Sequence, residues 1–172
     1  FEINEGDLTR IQSIRFVGNR KYEDSELRSV IRTRETAWWR FLSSDDKYDP
    51  DRLTYDRELL RRFYLSDGFA DFAILSAVAE LTPDRKEFFL TYTLDEGRRY
   101  RFGKINLNSR LRDLKVDDIT EAVRIEKDDW YNLSAIDKTI AKLTDTVAQL
   151  GHAFVDIRPR IVRDRKKRTI DV

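Results

Sequence analysis

The stretch YDPDRLTYDRELLRRFYLSDGFADFAI, residues 48–74, has a counterpart later in the chain, YNLSAIDKTIAKLTDTVAQLGHAFVDI, residues 131–157. In both copies apolar residues recur at spacings of three and four until a glycine, Gly68 or Gly151, and a short apolar run follows. This pattern predicts a helix, a left-handed residue that ends it, and a strand. The repetition predicts that the chain contains two units of one design.

Three further segments match in the same order along the chain. They are IRFVGN (14–19) with INLNSR (105–110), SELRSVI (25–31) with DITEAV (118–123), and TPDRKEFFLTY (82–92) with VRDRKKRTIDV (162–172). Their patterns predict a first strand, a short helix and a final hairpin in each unit. We therefore predict an α+β fold of two tandem β-α-α-β-β domains, residues 9–97 and 98–172, each a three-stranded mixed sheet covered by two helices.

The first residues of the chain also match this scheme. FEINEG (1–6) repeats YTLDEG (92–97), the end of the first unit, and the second unit reaches only VRDRKKRTIDV before Val172. We therefore expect residues 1–8 to be the tail of a preceding repeat, and the second unit to break off within its last strand.

Helix-capping residues mark where the helices begin. Asp24 or Ser25 is predicted to cap the first helix, and Asp49 precedes Pro50 at the start of the second. In the second unit Asn132 is predicted to cap the long helix.

Composition excludes several classes of function. The 33 basic and 32 acidic residues leave a net charge of +1, which gives no general attraction to nucleic acid or to an anionic membrane. The sequence shows no apolar run of the ~20 residues that a membrane helix needs. With no cysteine, the chain has no disulfide, thiolate metal site or thiol nucleophile.

Candidate catalytic groups are few. The one histidine, His152, follows the helix-ending Gly151, where packing or surface exposure explains it better than catalysis. Paired acidic residues in loops are explained by helix caps and solvated turns. The basic run RDRKKR (163–168) falls at the hairpin turn and lacks the stacking aromatics or GXXG clamp of RNA-binding modules. We predict no enzyme activity, no metal or cofactor, and no nucleic-acid partner; a nucleic-acid-binding module is the less favoured alternative.

Several signatures together resemble one family. FVGN follows the first strand, YLSDGFADF joins the second helix to its strand, LTPDR lies at the hairpin and DEG closes the unit. The chain thereby resembles POTRA domains, in particular the third and fourth of a BamA-type outer-membrane β-barrel assembly factor of the alphaproteobacterial kind. INLNSR in the second unit departs from the pattern, because it lacks the Gly-Asn turn.

The resemblance implies location, partners and function. Such domains form a periplasmic string before a membrane β-barrel, so a signal peptide and a barrel would lie outside this stretch. The implied partners are unfolded outer-membrane proteins, accessory lipoproteins, adjacent POTRA domains and the barrel. The expected function is an interaction module for assembling outer-membrane proteins; the alternative is a passive spacer that docks lipoproteins and never touches clients.

Three sets of residues are candidates for these roles. A small open sheet has an edge whose unpaired backbone groups can accept another strand, and the segment 69–81 is the candidate edge. The residues expected to bind clients are Phe72, Ala73, Ile74, Leu75, Ser76 and Ala77. Trp38 and Trp39 are the candidate partner contact, with filling of their own loop as the equal alternative. A restricted interdomain hinge is expected at Glu96, Gly97, Arg98, Arg99 and Tyr100.

Overall fold

The computed structural model describes residues 10–35, 50–83, 87–111, 113–152 and 154–172. The chain divides into two compact units, one of Phe1–Phe63 with Asp71–Gly97 and the other of Tyr64–Ala70 with Arg98–Val172. Trp38, Trp39, Asp49 and the FEINEG segment lie outside the described residues.

The sheet of the first unit contains strands β1 (Arg10–Val17), β2 (Ala73–Leu81) and β3 (Glu87–Asp95) in the order β1-β3-β2. β1 runs parallel to β3, and β2 runs antiparallel to it. Helices α1 (Asp24–Val30) and α2 (Pro50–Ser66) lie between β1 and β2 in the chain. The predicted α+β class, with its mixed sheet, is confirmed.

One face of this sheet forms the core of the first unit. Alternate residues of β3 are buried there, and the ring of Tyr92 stacks on Phe16 of β1 with centroids 5.4 Å apart. Full burial of each such side chain contributes about 1.5–3 kcal/mol. Other buried members of this core are Ile11, Ile14, Leu27, Ile31, Leu60, Leu90 and Leu94.

A buried carboxylate ties the helical layer to β3. Asp56 of α2 is fully buried and accepts hydrogen bonds from the backbone N–H of Arg32, at 2.7 Å, and of Thr33, at 3.3 Å. The hydroxyl of Tyr92 donates to the same carboxylate at 3.4 Å. Burial of Tyr92, together with the adjacent negative charge of Asp56, raises the pKa of its hydroxyl far above the ordinary value.

The turn after β1 explains two of the sequence signatures. Gly18 has a φ of +93°, and a Cβ on it would lie 2.1 Å from the carbonyl oxygen of Leu94, so that only glycine fits. The carboxylate of Glu96, from the closing DEG, accepts hydrogen bonds from the backbone N–H groups of Arg20 and Lys21. The two ends of the unit are therefore joined at this turn.

The start of α1 differs from the prediction. Glu23, rather than Asp24 or Ser25, is the N-cap residue, and its backbone N–H donates to the Glu26 side chain at 2.9 Å. Asp24 instead accepts a hydrogen bond from the Asn19 side chain at 2.9 Å. The carboxylate that was expected to cap the helix thus stabilises the preceding turn.

The second unit repeats the topology with shorter strands. Its sheet contains β4 (Arg101–Phe102), β5 (Val162–Asp164) and β6 (Thr169–Asp171) in the order β4-β6-β5. β4 is parallel and β5 antiparallel to β6, as in the first unit. A 3-10 helix (Val116–Ala122) and α3 (Leu133–Gln149) lie between β4 and β5 in the chain.

Helix α3 begins as predicted. The side chain of Asn132 accepts from the backbone N–H of Ala135 at 2.9 Å, which caps the helix. Its buried face holds Ile136, Leu143 and Val147, whereas Leu150, which precedes the helix-ending Gly151, is 49% exposed. The buried face of α3 packs with Leu114, Ile119 and Ala122.

The hairpins correct one detail of the repeat. Leu81 pairs with Phe88 and Arg163 pairs with Ile170, so the two turns have equal length. Position 81 therefore corresponds to 163, whereas the sequence match aligned Thr82 with Val162. Both turns are crowded with charged residues, which offered no fixed point for the alignment.

Candidate functional site

Strand β2 lies at an edge of the first sheet. The order β1-β3-β2 leaves β2 with one neighbour, and among the described residues no strand pairs with its other side. The backbone groups on that side form a row of potential donors and acceptors for a further strand.

The hydrogen bonding at the hairpin fixes which residues face the free side. The backbone N–H of Thr82 donates to the carbonyl of Glu87 at 2.8 Å, and the N–H of Glu87 donates to the Thr82 hydroxyl. Because bonding alternates along an antiparallel pair, Val78 and Glu80 also face β3. The backbone groups of Ala77, Ala79 and Leu81 therefore point towards the free edge.

Large apolar side chains are exposed along this strand. Leu75 is 66% exposed, Val78 46% and Leu81 44%. The sequence predicted a shallow edge of small residues here, and the exposure of these larger side chains was not predicted. A guest strand therefore meets apolar surface as well as backbone groups.

A β-bulge divides the edge. Ile74 pairs with Leu94 and Ser76 with Thr93, which leaves Leu75 as an extra residue in β2. Regular pairing is continuous from Ser76 to Leu81. The part of the edge that offers an unbroken ladder is therefore six residues long.

The predicted client-binding residues fall on different parts of this edge. Phe72 is buried, 7% exposed, and precedes the strand, so it belongs to the core rather than to the edge. Ala73 and Ile74 lie before the bulge, Leu75 forms it, and Ser76 and Ala77 begin the regular stretch.

The predicted hinge residues are held by their own units. In the first unit Glu96 is buried, and Gly97, with a φ of +66°, lies against Asp71. In the second unit the Arg99 guanidinium donates to the Asp67 carboxylate at 2.7 Å, and the N–H of Tyr100 donates to the carbonyl of Gly68 at 2.9 Å. Arg98 is exposed. Hinge motion remains a prediction.

The second unit contains a group of cation–π contacts around one tryptophan, which was not predicted from the sequence. The Trp130 ring, 43% exposed, has the Arg99 guanidinium 4.1 Å and the Arg101 guanidinium 4.0 Å from its centroid. Arg99 and Arg101 are alternate residues just before and in β4, so they point the same way, which is the one sequence signal available.

Among the described residues there is no group of three His, Cys, Asp or Glu side chains that could hold a metal ion. Within the described ranges, no helix combines the length and apolar character needed to cross a membrane. The backbone N–H of His152 donates to the Val147 carbonyl, which places this residue at the end of α3.

The two repeated units match a known family. A model described as POTRA, surface antigen variable number repeat, matches residues 9–97 and again residues 100–172. The chain belongs to the POTRA family. The FVGN and DEG signatures, whose Gly18 and Glu96 both contribute to the first turn, thus lie in a recognised POTRA domain.

Relatives of this POTRA chain carry the name outer membrane protein assembly factor BamA. The one from Neorickettsia risticii is 31% identical over 166 residues, covering 96% of this chain and 22% of that protein. The one from Buchnera aphidicola is 30% identical over 171 residues, covering 98% of this chain and 27% of that protein. The chain thus spans about a quarter of the length of these relatives.

Solved POTRA structures have the same fold. POTRA domains 3–5 of Haemophilus influenzae BamA align with a TM-score of 0.72 at 17% identity, over 95% of this chain and 64% of that chain. Haemophilus ducreyi BamA lacking POTRA domains 1–3 aligns with a TM-score of 0.66 at 14% identity, over 94% of this chain and 28% of that one.

Proposed function

We propose that this chain is a periplasmic interaction module of an outer-membrane protein assembly machine, which receives unfolded β-barrel clients by strand addition to the edge of β2. The observation that carries the proposal is the free edge itself, with outward backbone groups at Ala77, Ala79 and Leu81 and exposed apolar side chains beside them. Membership of the POTRA family and the BamA name of its relatives support the setting.

The energetics of such a contact favour a transient complex. A guest that pairs along Ser76–Leu81 gains hydrogen bonds worth about 0.5–1.5 kcal/mol each, while ordering each guest residue costs about 1–2 kcal/mol. For backbone pairing alone, the free energy gained from hydrogen bonds is therefore nearly cancelled by the cost of ordering the guest. Burial of Leu75, Val78 and Leu81 then decides whether a guest binds, at about 25 cal/mol per Å² of apolar surface.

This balance suits a factor that must pass clients on. Backbone pairing accepts many sequences. Val78 and Leu81 are three residues apart and lie on opposite faces of the sheet, so each adds apolar contact on its own face to a guest such as a membrane β-strand, in which apolar residues alternate. The bulge at Leu75 limits the regular ladder to six residues, so a longer client strand is held along only part of its length. Binding is then weak and quickly reversed.

Two neighbouring proline substitutions test the proposal. Ala77→Pro removes an N–H that points to the free edge, and Val78→Pro removes one that bonds to β3. Ala77→Pro should abolish binding of an unfolded outer-membrane peptide while the melting temperature falls little. Val78→Pro should lower the melting temperature markedly, and Ala77→Ser, which keeps the N–H, should bind as before.

The readout is chemical-shift mapping during titration with the peptide. Shifts centred on 76–81 that disappear in Ala77→Pro support strand addition. Undiminished binding by a folded Ala77→Pro variant contradicts it. A titration with an accessory lipoprotein that shifts only other residues, with no response to the peptide, would favour the passive docking scaffold; Trp38 and Trp39 are its candidate contacts.

A further inference from the structure

The β1 edge of the first sheet is covered by side chains. The carboxylate of Glu35 accepts from the backbone N–H of Ile14 at 2.7 Å, and the guanidinium of Arg28 donates to the carbonyl of Ile14 at 3.2 Å. The carboxylate of Asp24 accepts from the N–H of Phe16 at 3.3 Å. Because successive residues of a strand direct their backbone groups to opposite sides, Ile14 and Phe16 both face away from β3. These are the groups that a further strand beside β1 would have to use.

The three side chains come from one stretch of the chain and support one another. Asp24 begins α1, Arg28 lies in its last turn, and Glu35 follows the helix. The guanidinium of Arg28 lies 3.4 Å from the carboxylate of Glu35, so that both backbone groups of Ile14 belong to one closed ring of contacts. Hydrogen bonds with an ionised partner are stronger than those between neutral groups. A guest backbone, which is neutral, would therefore replace stronger bonds with weaker ones.

The β2 edge lacks such a cover among the described residues. Its outward backbone groups belong to Ala77, Ala79 and Leu81, and no described side chain donates to them or accepts from them. The hydrogen bond from the N–H of Glu87 to the Thr82 hydroxyl lies at the hairpin, beyond these positions. The two edges of one sheet therefore carry the same kind of backbone group but differ in whether charged side chains already occupy it.

We propose that Asp24, Arg28 and Glu35 close the β1 edge, so that the first unit accepts a guest strand at β2 alone. Charged side chains at a sheet edge are a general means of preventing unwanted strand pairing. With both edges open, one unit could bind two guests, or copies of the chain could pair edge to edge. The guest named here rests on the proposed function, whereas the closure of β1 depends only on contacts within the first unit.

A double variant, Arg28→Ala with Glu35→Ala, opens the edge at Ile14. Both side chains are partly exposed, at 39% and 35%, so their removal leaves the backbone groups of Ile14 accessible to water rather than stranded in the core. Asp24 is left in place, because it also accepts from the Asn19 side chain in the turn before α1. The variant therefore changes the cover of the edge and keeps this turn.

Amide hydrogen exchange tests the closure without any guest. After correction for intrinsic rates, the N–H of Ile14 in the unaltered chain should exchange at least about tenfold more slowly than that of Ala79, since a hydrogen bond to a charged group is worth at least about that factor. In the double variant the two amides should exchange at similar rates. The N–H of Arg15, which faces β3, should stay protected and thereby show that the sheet is intact.

Titration with the unfolded outer-membrane peptide tests the consequence for binding. In the unaltered chain the amide resonances of residues 76–81 should shift and those of residues 13–16 should not. In the double variant both sets should shift, and the chain should take up a second peptide. A peptide that leaves 76–81 unchanged would contradict the proposed function, and the exchange rate of Ile14 would still decide whether the side chains close β1.

Matched controls separate the cover of the edge from a change of charge. Arg32→Ala with Glu58→Ala removes the same two residue types at exposed positions and should behave like the unaltered chain. Glu35→Gln keeps an oxygen that can accept from the N–H of Ile14 and should remain closed. The proposal would be overturned by an Ile14 amide that stays protected in the double variant or by shifts at 13–16 in the unaltered chain. It would equally be overturned by a double variant that binds the peptide at 76–81 alone.

Discussion

Substitution of Asp56 by alanine should unfold the first unit more readily than any exposed change on the same helix. The carboxylate is fully buried and accepts from the backbone N–H groups of Arg32 and Thr33 and from the Tyr92 hydroxyl. In Asp56→Ala these three donors lose their acceptor, and the N–H of Thr33 and the hydroxyl of Tyr92 are left in the buried core.

The magnitude follows from the two backbone groups. Each buried donor left without a partner costs about 1–3 kcal/mol, so the loss should be about 2–6 kcal/mol. A domain of this size has a total stability of about 5–15 kcal/mol, and each kcal/mol lowers the melting temperature by about 4–8 °C. We therefore expect the melting temperature of the first unit to fall by about 10 °C or more.

The assay is amide hydrogen exchange at increasing urea concentration, which reports the stability of each unit separately. Glu58→Ala is the matched control, because Glu58 lies on the same helix, is exposed and pairs only with Arg61 at 3.7 Å in the contacts described. It should change stability by less than about 0.5 kcal/mol. A first unit that keeps the stability of the unaltered chain in Asp56→Ala would refute the role of the carboxylate as the acceptor joining these elements.

Two further substitutions test other parts of the fold. Folding raises the pKa of the Tyr92 hydroxyl, so above about pH 10 the unfolded chain binds fewer protons than the folded chain, and the free energy of unfolding falls as the pH rises. Tyr92→Phe should reduce this loss of stability at alkaline pH, as measured by urea unfolding. Tyr55→Phe, at a position that is 52% exposed, should leave the loss unchanged. Gly18→Ala should cost about 3 kcal/mol or more, because the new Cβ meets the Leu94 carbonyl at a φ of +93°. Gly151→Ala, with a φ of +98° but open space around it, should cost only about 1–2 kcal/mol, and equal losses in chemical denaturation would contradict the steric argument.

Local features of the sequence predicted the helices and turns well. Asn132 caps α3 because the cap depends only on the next three residues, and Gly18 and Gly68 both have positive φ where the sequence predicted a turn and a helix end. The prediction for α1 was wrong because Asp24 had a second acceptor role, towards Asn19, that no local pattern reveals.

Features that depend on pairing between residues far apart in the chain were harder to predict from the sequence. The exposure of Leu75 and Val78 follows from a bulge, and a single extra residue in a strand of small side chains leaves no periodic signal. In the second unit the same segment lacks that residue: Gly68 matches Gly151, 83 positions later, while Leu81 matches Arg163, 82 positions later. The difference of one became visible only when the hairpins fixed the register.

The order of strands in the first sheet determines how a guest strand can bind there. The sheet is three strands wide, so a guest can pair only with the outer side of β2, where half of the guest's backbone groups stay in water. Backbone pairing alone is then too weak to hold a guest, and contact with the exposed Val78 and Leu81 has to supply the rest. Peptides whose apolar residues are replaced by polar ones should therefore bind this edge more weakly than the parent peptide. Equal binding, measured by titration of the amide resonances of residues 76–81, would contradict the role of the exposed side chains.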